Sequence, residues 1–547
     1  MPETTATAPP VSGQPQAGPS GQKVKLKVNG REVEVPAGTS ILNAAKALGV
    51  HVPVFCYHPG LSVAGNCRMC MVEASNSKKP VASCCTPVAE GIDVLTESDM
   101  AKKSRAGVLE MMLLNHPLDC PICDKSGECM LQDNSYGHGK SDSRMVEDKV
   151  LRHTKDLGST IHIWGNRCIV CTRCVRFCDE VSGTGELCVV ERGDRSVVDV
   201  FEGYPLANPL AGNTVDLCPV GALISKDFLY QARVWNTTRT DTLCAGCSRG
   251  CNIEAQTLDN KIVRLVPREN RSVNDWWMCD YGRYDYRFVL SPTRVLAARP
   301  PLAPGETAGQ KLARELRAVA KKHGPKSVAG IASAFMTCEE LLLFKKLFGA
   351  LGSDRLGAIA RPNGVEEKLK SFTIAADKNP NRAGARRILG RDTFEKGYDS
   401  VLDGVARGEV KALVVVADQP HAPLPARVVE LLTQVELGVV VLLEKDKRLP
   451  EKVWILPATT FIEKDGTIVN DRDRAQRLRP ALALPRLVRP EMELLQQALI
   501  EIGERRAVLS SASVFRELGK EAIPALSGKS QRDLGKLGLD VTEGAKA

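Results

Sequence analysis

Residues 116–129 read HPLDCPICDKSGEC. One imidazole and three thiols, His116, Cys120, Cys123 and Cys129, fall inside a single turn-rich stretch that follows a helix-like segment. A disulfide typically joins separated segments, so this crowding points to donors converging on a metal centre. Working outward, the same crowding recurs on both sides. The chain has 19 cysteines, an odd number, and all but Cys338 lie between Cys56 and Cys279. The cysteines divide the chain into a loop-built, donor-rich part and a donor-poor part. Thiols occupied by metal imply a reducing, cytoplasmic compartment.

The chain is 547 residues long, which leaves room for about three to five domains. Hydrophobic content of 43% and charged content of 25% suit a globular protein. No apolar run approaches the roughly 20 residues a membrane-spanning helix needs, so a membrane link is expected only through partner subunits. Residues 1–22 are rich in Pro, Ala, Thr, Gly and Ser with little charge, and read as a disordered tail. The net charge of +9 is interspersed with acidic residues and aromatics are 5%. Nucleic-acid binding, which asks for a basic stripe with stacking aromatics, is not expected.

Polarity alternates over 23–28 and 31–35 around Asn29-Gly30, which predicts a hairpin. Thr39 or Ser40 then caps a short helix ending at Leu48, with Gly49 as its stop. Residues 23–100 thus read as a β-grasp module. Residues 101–114 predict a helix ending near His116-Pro117. Residues 101–140, 141–236 and 237–293 each hold further cysteines. From 294 onward Leu312, Leu316 and Val319 mark a helix face closed by Gly324-Pro325. Apolar runs at 410–416, 439–443 and 453–456, with helical segments between, predict a largely parallel sheet. The fold class expected is multidomain α+β and α/β.

Four donor sets follow from spacing. Cys56, Cys67, Cys70 and Cys84 are similar to ferredoxins with a [2Fe–2S] cluster, although the first gap is longer than the plant type. Four cysteines would also satisfy zinc. Cys85 would point away along an extended strand and is left out. In the second set His116 stands just upstream of three cysteines that leave one cubane position vacant. A neutral imidazole leaves less negative charge on a cluster than a thiolate, which implies a higher potential. The third set, Cys168, Cys171 and Cys174 with the distant Cys218-Pro219, is similar to bacterial [4Fe–4S] ferredoxins. Cys178 and Cys188 are too few for another cluster and are expected as buried small residues. The fourth set is Cys244, Cys247, Cys251 and Cys279, for which a zinc ribbon is the alternative. Four sets in one chain favour iron–sulfur, because electron transfer needs a succession of centres and zinc is redox-inert.

These sets, in this order and at these spacings, resemble the large iron–sulfur subunit of bacterial respiratory complex I, NADH:quinone oxidoreductase, from about residue 23 to 290. The resemblance implies one [2Fe–2S] cluster in the first set and three [4Fe–4S] clusters in the others. It implies electrons entering from a flavin- and NADH-binding subunit, crossing the first, third and second sets, and leaving through a downstream [4Fe–4S] subunit towards quinone. The fourth set lies off that route. The location implied is the cytoplasmic side of the bacterial inner membrane, as a peripheral part of the complex.

The domains then read as a β-grasp [2Fe–2S] ferredoxin domain (23–100), a His/Cys [4Fe–4S] domain (101–140), a ferredoxin-like domain (141–236) and a molybdopterin-oxidoreductase N-terminal type domain (237–293). Residues 294–547 are similar to the α/β region of molybdopterin oxidoreductases, in shortened form, with Leu456-Pro457-Ala458, Glu463-Lys464-Asp465-Gly466-Thr467 and Asn470. No cysteine stands near Arg361-Pro362-Asn363-Gly364, and Cys338 lies in a helix-like stretch, so no molybdopterin is expected. No side chain is expected to act as acid, base or nucleophile. The rival readings are the iron–sulfur subunit of a formate dehydrogenase or hydrogenase complex, and a zinc-binding interaction protein.

Overall fold

The computed structural model describes residues 22–504 and 509–542. The expected N-terminal tail lies outside the described residues, apart from Gln22. The chain divides into two compact units. One runs to Thr237 and takes in Lys368–Phe372, and the other holds the remainder.

The first unit opens with β1 (Lys23–Val28) and β2 (Arg31–Pro36), paired antiparallel with Val28 opposite Arg31. Asn29 and Gly30 both have positive φ, 51° and 76°, the turn that matches the twist of a two-residue hairpin. Ser40 caps α1 (Ile41–Ala47), its hydroxyl accepting from Asn43 N–H. Next come β3 (Met71–Ala74), β4 (Val81–Ala82) and β5 (Asp93–Leu95), giving a five-stranded sheet of order β2-β1-β5-β3-β4. β5 runs parallel to β1, with Val28 beside Val94. The buried side chains Leu26, Val28, Ile41, Ala45, Val72 and Val94 form the core under this sheet.

Ser98 caps α2 (Asp99–Leu113), which starts two residues before the expected helix and ends one residue short of it. Beyond it the first unit is mostly loops pinned by short elements: α3 (Met130–His138), α4 (Arg173–Phe177), a helix at Asn213–Leu217 and strands of three or four residues.

The second unit begins with the antiparallel strands Thr238–Leu243, Asn252–Leu258 and Lys261–Pro267. Its centre is a five-stranded sheet in which Leu356–Ile359, Val328–Ser333, Ala412–Ala417, Leu437–Leu442 and Trp454–Pro457 are neighbours in that order, all parallel. Three of these strands, Val328–Ser333, Ala412–Ala417 and Leu437–Leu442, are buried at every residue, as expected for a parallel sheet covered on both faces. Helix Ala308–His323 buries Leu312, Leu316 and Val319, and Thr307 and Gln310 close its start as a capping box.

Candidate metal centres

Strand pairing gathers the first set. Met71 on β3 lies opposite Ala82 on β4, which brings Cys70 and Cys84, at the adjoining strand ends, beside each other. Ser83 ties the ends by donating its N–H (3.1 Å) and its hydroxyl (2.8 Å) to Cys70 O. Left-handed backbone at Gly65 and Arg68 winds the loop between, and Cys56 N–H donates to Cys67 Sγ at 3.4 Å. Hydrogen bonds from the Cys67 and Cys84 thiols lower the Cys56 thiol's pKa, and Cys84 does the same for Cys70. These two sulfurs therefore favour the thiolate that a metal requires. Cys85 is exposed and lies on a turn, not on the extended strand expected from the sequence.

The second set borders one open hollow of about 2170 Å³, lined by His116, Cys120, Cys123, Cys129 and Gly221 among others. Cys129 stands at the N-cap of α3, and Ser126 Oγ donates to Cys120 O at 2.5 Å. A Cβ on Gly221 would lie 2.1 Å from Cys123 Sγ, so glycine alone leaves that sulfur its place. Burial lowers the His116 pKa to about 4 and raises those of Cys123 and Cys129. The imidazole is thus neutral near pH 7, with a lone pair free to ligate.

In the third set Cys168, Cys171, Cys174 and Cys218 line a single hollow of about 350 Å³ with Ile163 and Val198. Positive φ at Val170 (50°) and Thr172 (60°) coils the loop into α4, which carries Cys174, while Cys218 caps the helix Asn213–Leu217. Burial drives Cys168 up to about 11, Cys171 to about 12 and Cys174 well above its ordinary value. A bare thiolate here is costly, and a bound cation would offset that cost. Cys178 is buried on the same helical run, but Cys188 is only half-buried, with its thiol 3.6 Å from Asp199 O. The expectation of burial at Cys188 is therefore corrected: it sits on a short hairpin with little packed over it.

The fourth set is made by a strand pair. Leu243 faces Asn252, so Cys244 and Cys251 flank the hairpin's mouth and Cys244 N–H donates to Cys251 O at 2.9 Å. Cys279 is the N-cap of helix Asp280–Tyr284. All four cysteines are buried, and burial raises each thiol, Cys279 to about 12. Gly282 leaves room for Cys244, since a Cβ there would lie 2.5 Å from its Sγ. Cys338 is buried against Asn381.

Sequence reasoning missed the arginines that join the first three sets. Arg176 donates to Cys56 O (2.6 Å), to Cys171 O (3.4 Å) and to Ser62 O. Asn66 reaches Val170 O, and Glu180 accepts from Ser62 N–H at 2.8 Å. Between the third and second sets, Arg167 pairs with Asp119 and donates to Gly221 O (3.4 Å), while Met130 N–H donates to Pro219 O (2.9 Å). The one available signal was arginine recurring beside the third-set cysteines at 167, 173 and 176. Sequence also left Lys464 of the Glu463–Thr467 motif without partners. It is buried and paired with Glu340, Asp418 and Glu491.

Among the described residues, no three His, Cys, Asp or Glu side chains form a site for a single metal ion. The sulfur donors, their burial and the hollow between the third-set thiols fit iron–sulfur groups. When bound, such a group supplies one-electron oxidation and reduction.

Four family models match. They are the 2Fe-2S iron-sulfur cluster binding domain (residues 21–99), the NADH-ubiquinone oxidoreductase-G iron-sulfur binding region (105–144), the NADH-quinone oxidoreductase subunit 3 ferredoxin-like domain (158–224) and the molybdopterin oxidoreductase Fe4S4 domain (237–291). The G subunit of NADH-quinone oxidoreductase from Rickettsia felis is 36% identical over 60% of this chain and 50% of its own length. Over that stretch the chain is similar to the NADH-quinone oxidoreductase G subunit. The NADH-ubiquinone oxidoreductase 75 kDa subunit of Reclinomonas americana is 38% identical over 61% of this chain and 48% of its own. The chain spans about half the length of these relatives. A solved NAD+-reducing [NiFe]-hydrogenase in the H2-reduced state covers 39% of this chain and 91% of its own, at 30% identity and a TM-score of 0.36. The chain thus carries 2Fe-2S and 4Fe-4S binding domains. Among the described residues, no helix is long and apolar enough to cross a membrane.

Proposed function

We propose that the chain is the iron–sulfur electron-transfer subunit of an NADH:quinone oxidoreductase, taking single electrons from a flavin- and NADH-binding subunit and handing them towards quinone. It would hold one [2Fe–2S] cluster at Cys56, Cys67, Cys70 and Cys84. Three [4Fe–4S] clusters would sit at His116/Cys120/Cys123/Cys129, Cys168/Cys171/Cys174/Cys218 and Cys244/Cys247/Cys251/Cys279. The domain division at 23–100, 101–140, 141–236 and 237–293 follows these sets. Partners would be the flavin- and NADH-binding subunit and a downstream [4Fe–4S] subunit, on the cytoplasmic side of the bacterial inner membrane.

The observation that carries this reading is the pair of seams in the first unit. Side chains join the first set's loop to the third's, and the third's to the second's. That is the order in which the resemblance passes electrons. The chain's own residues hold the donors, keep three of the loops in register and bury the thiols away from water.

The test is anaerobic purification with iron, sulfide and zinc analysis and low-temperature EPR. One binuclear and three cubane clusters require about 14 iron atoms per chain. A colourless protein with stoichiometric zinc ends the proposal. In the variant His116→Ala one cubane signal should change while the binuclear signal stays. Unchanged cubane signals would remove His116 from the second set.

A further inference from the structure

Five arginines of the described residues are buried: Arg105, Arg167, Arg173, Arg283 and Arg294. Four of them have a carboxylate within reach, namely Glu97, Asp119, Asp280 and Glu463 respectively. Arg173 has none. It is 6% exposed, its guanidinium donates only to two carbonyls and a thioether, and its Nε is buried without a partner. A buried cation facing neutral groups alone is costly, so natural folds rarely keep one without a counter-charge.

Its neighbours show where the counter-charge comes from. Nη2 donates to Tyr57 O at 2.5 Å, the residue after Cys56. Nη1 donates to Leu217 O at 3.2 Å, the residue before Cys218, and lies 3.7 Å from Met130 Sδ, the residue after Cys129. Arg173 itself precedes Cys174 on α4. One side chain thus touches a residue flanking a proposed ligand in each of the first three sets. The proposed ligands Cys56, Cys129, Cys174 and Cys218 are each one residue from Arg173 or from a group it donates to, and cluster-bound thiolates there would supply the negative charge.

We infer that Arg173 is a positioning residue shared by three centres, holding the first, second and third donor loops together while its positive charge is balanced by the thiolate-bound clusters around it. The inference rests on the iron–sulfur reading above. Arginine suits the task because its planar fork presents several donors in fixed directions, whereas lysine would bring the same charge to one carbonyl at a time. A positive charge beside a cluster favours the more negative, reduced state, so its removal should lower the potential.

The experiment is an EPR-monitored redox titration of the full chain, wild type against Arg173→Gln and Arg173→Lys, with iron content measured on each. In Arg173→Gln the reduced-to-oxidised ratio of the third centre at a fixed ambient potential should fall about tenfold, which is about 59 mV for one electron. The first centre should fall by a smaller factor, and the fourth should not move. Arg173→Lys keeps the charge and loses the fork. It should retain wild-type potentials but release iron from the first three sets severalfold faster under a mild chelator. Iron-loaded Arg173→Gln with unmoved potentials would overturn the electrostatic role. Arg173→Lys releasing iron no faster than wild type would overturn the clamp, and it carries the test if Arg173→Gln does not load. A wild-type chain without iron would defeat the parent reading instead.

Discussion

The fourth donor set and the second are built on different material. Cys244 and Cys251 close the mouth of a hairpin whose strands run six and seven residues, in a unit that also contains a parallel sheet with three fully buried strands. His116, Cys120, Cys123 and Cys129 sit on loops around an open hollow, held by hydrogen bonds such as Arg167 to Asp119 and Met130 N–H to Pro219 O. Strands in that part of the chain are three or four residues long. A backbone ladder and an apolar core can stand without metal. Loops with few buried apolar contacts open at low free energy unless something fastens them, and under the proposed function the fastener is the metal group. The comparison teaches that similar sets of donors can sit on a folded support or be a large part of the support.

Anaerobic removal of iron and sulfide is the largest perturbation of this contrast. Hydrogen exchange should show amides of residues 115–225 losing protection while the strands Ala412–Ala417 and Leu437–Leu442 keep theirs. Equal loss in both regions would break the comparison. Next in size is Gly221→Ala, whose methyl would collide with Cys123 Sγ. It should abolish the second set's cubane signal and leave the [2Fe–2S] signal in place, as read by EPR.

Leu413→Ala addresses the other side. Leu413 is fully buried in the core around the parallel sheet, and its truncation should destabilise that unit by roughly 2–5 kcal/mol. Denaturant unfolding should show the loss with the first unit's iron content unaltered.

The smallest effect concerns pH. Burial raises the Glu339 carboxyl to about 7, against Thr467 N–H and hydroxyl donors that favour its ionised form. A folded pKa above the unfolded one means the folded state binds the extra proton. Glu339's contribution is therefore fully present below about pH 4.5 and is lost as pH rises through about 7. Glu339→Gln should reduce the second unit's stability slope across that window, leaving the part due to Glu340, which burial also raises to about 7, and a slope unchanged from wild type would refute the assignment.

Local chemistry made much of this legible. Asn29-Gly30 specifies a left-handed two-residue turn whatever surrounds it, and Ser40 and Gly324 mark helix ends through their own hydrogen bonds and backbone freedom. The apolar runs at 410–416 and 439–443 predicted strands of a parallel sheet, and strands buried on both faces lie at Ala412–Ala417 and Leu437–Leu442. The close cysteine spacings pointed to donor sets, because thiols that close in sequence suit one shared metal centre better than disulfides. Tertiary structure decided the rest. That Arg173 meets Tyr57, Met130 and Leu217, that Gly221 makes room for Cys123, and that Lys464 is enclosed by Glu340, Asp418 and Glu491 are all contacts between residues far apart in the chain. Arginines recurring beside the third-set cysteines gave a hint, but nothing local said which residues they would meet. Such a role exists only once folding has brought distant loops within hydrogen-bonding distance and excluded the water that would otherwise have satisfied them.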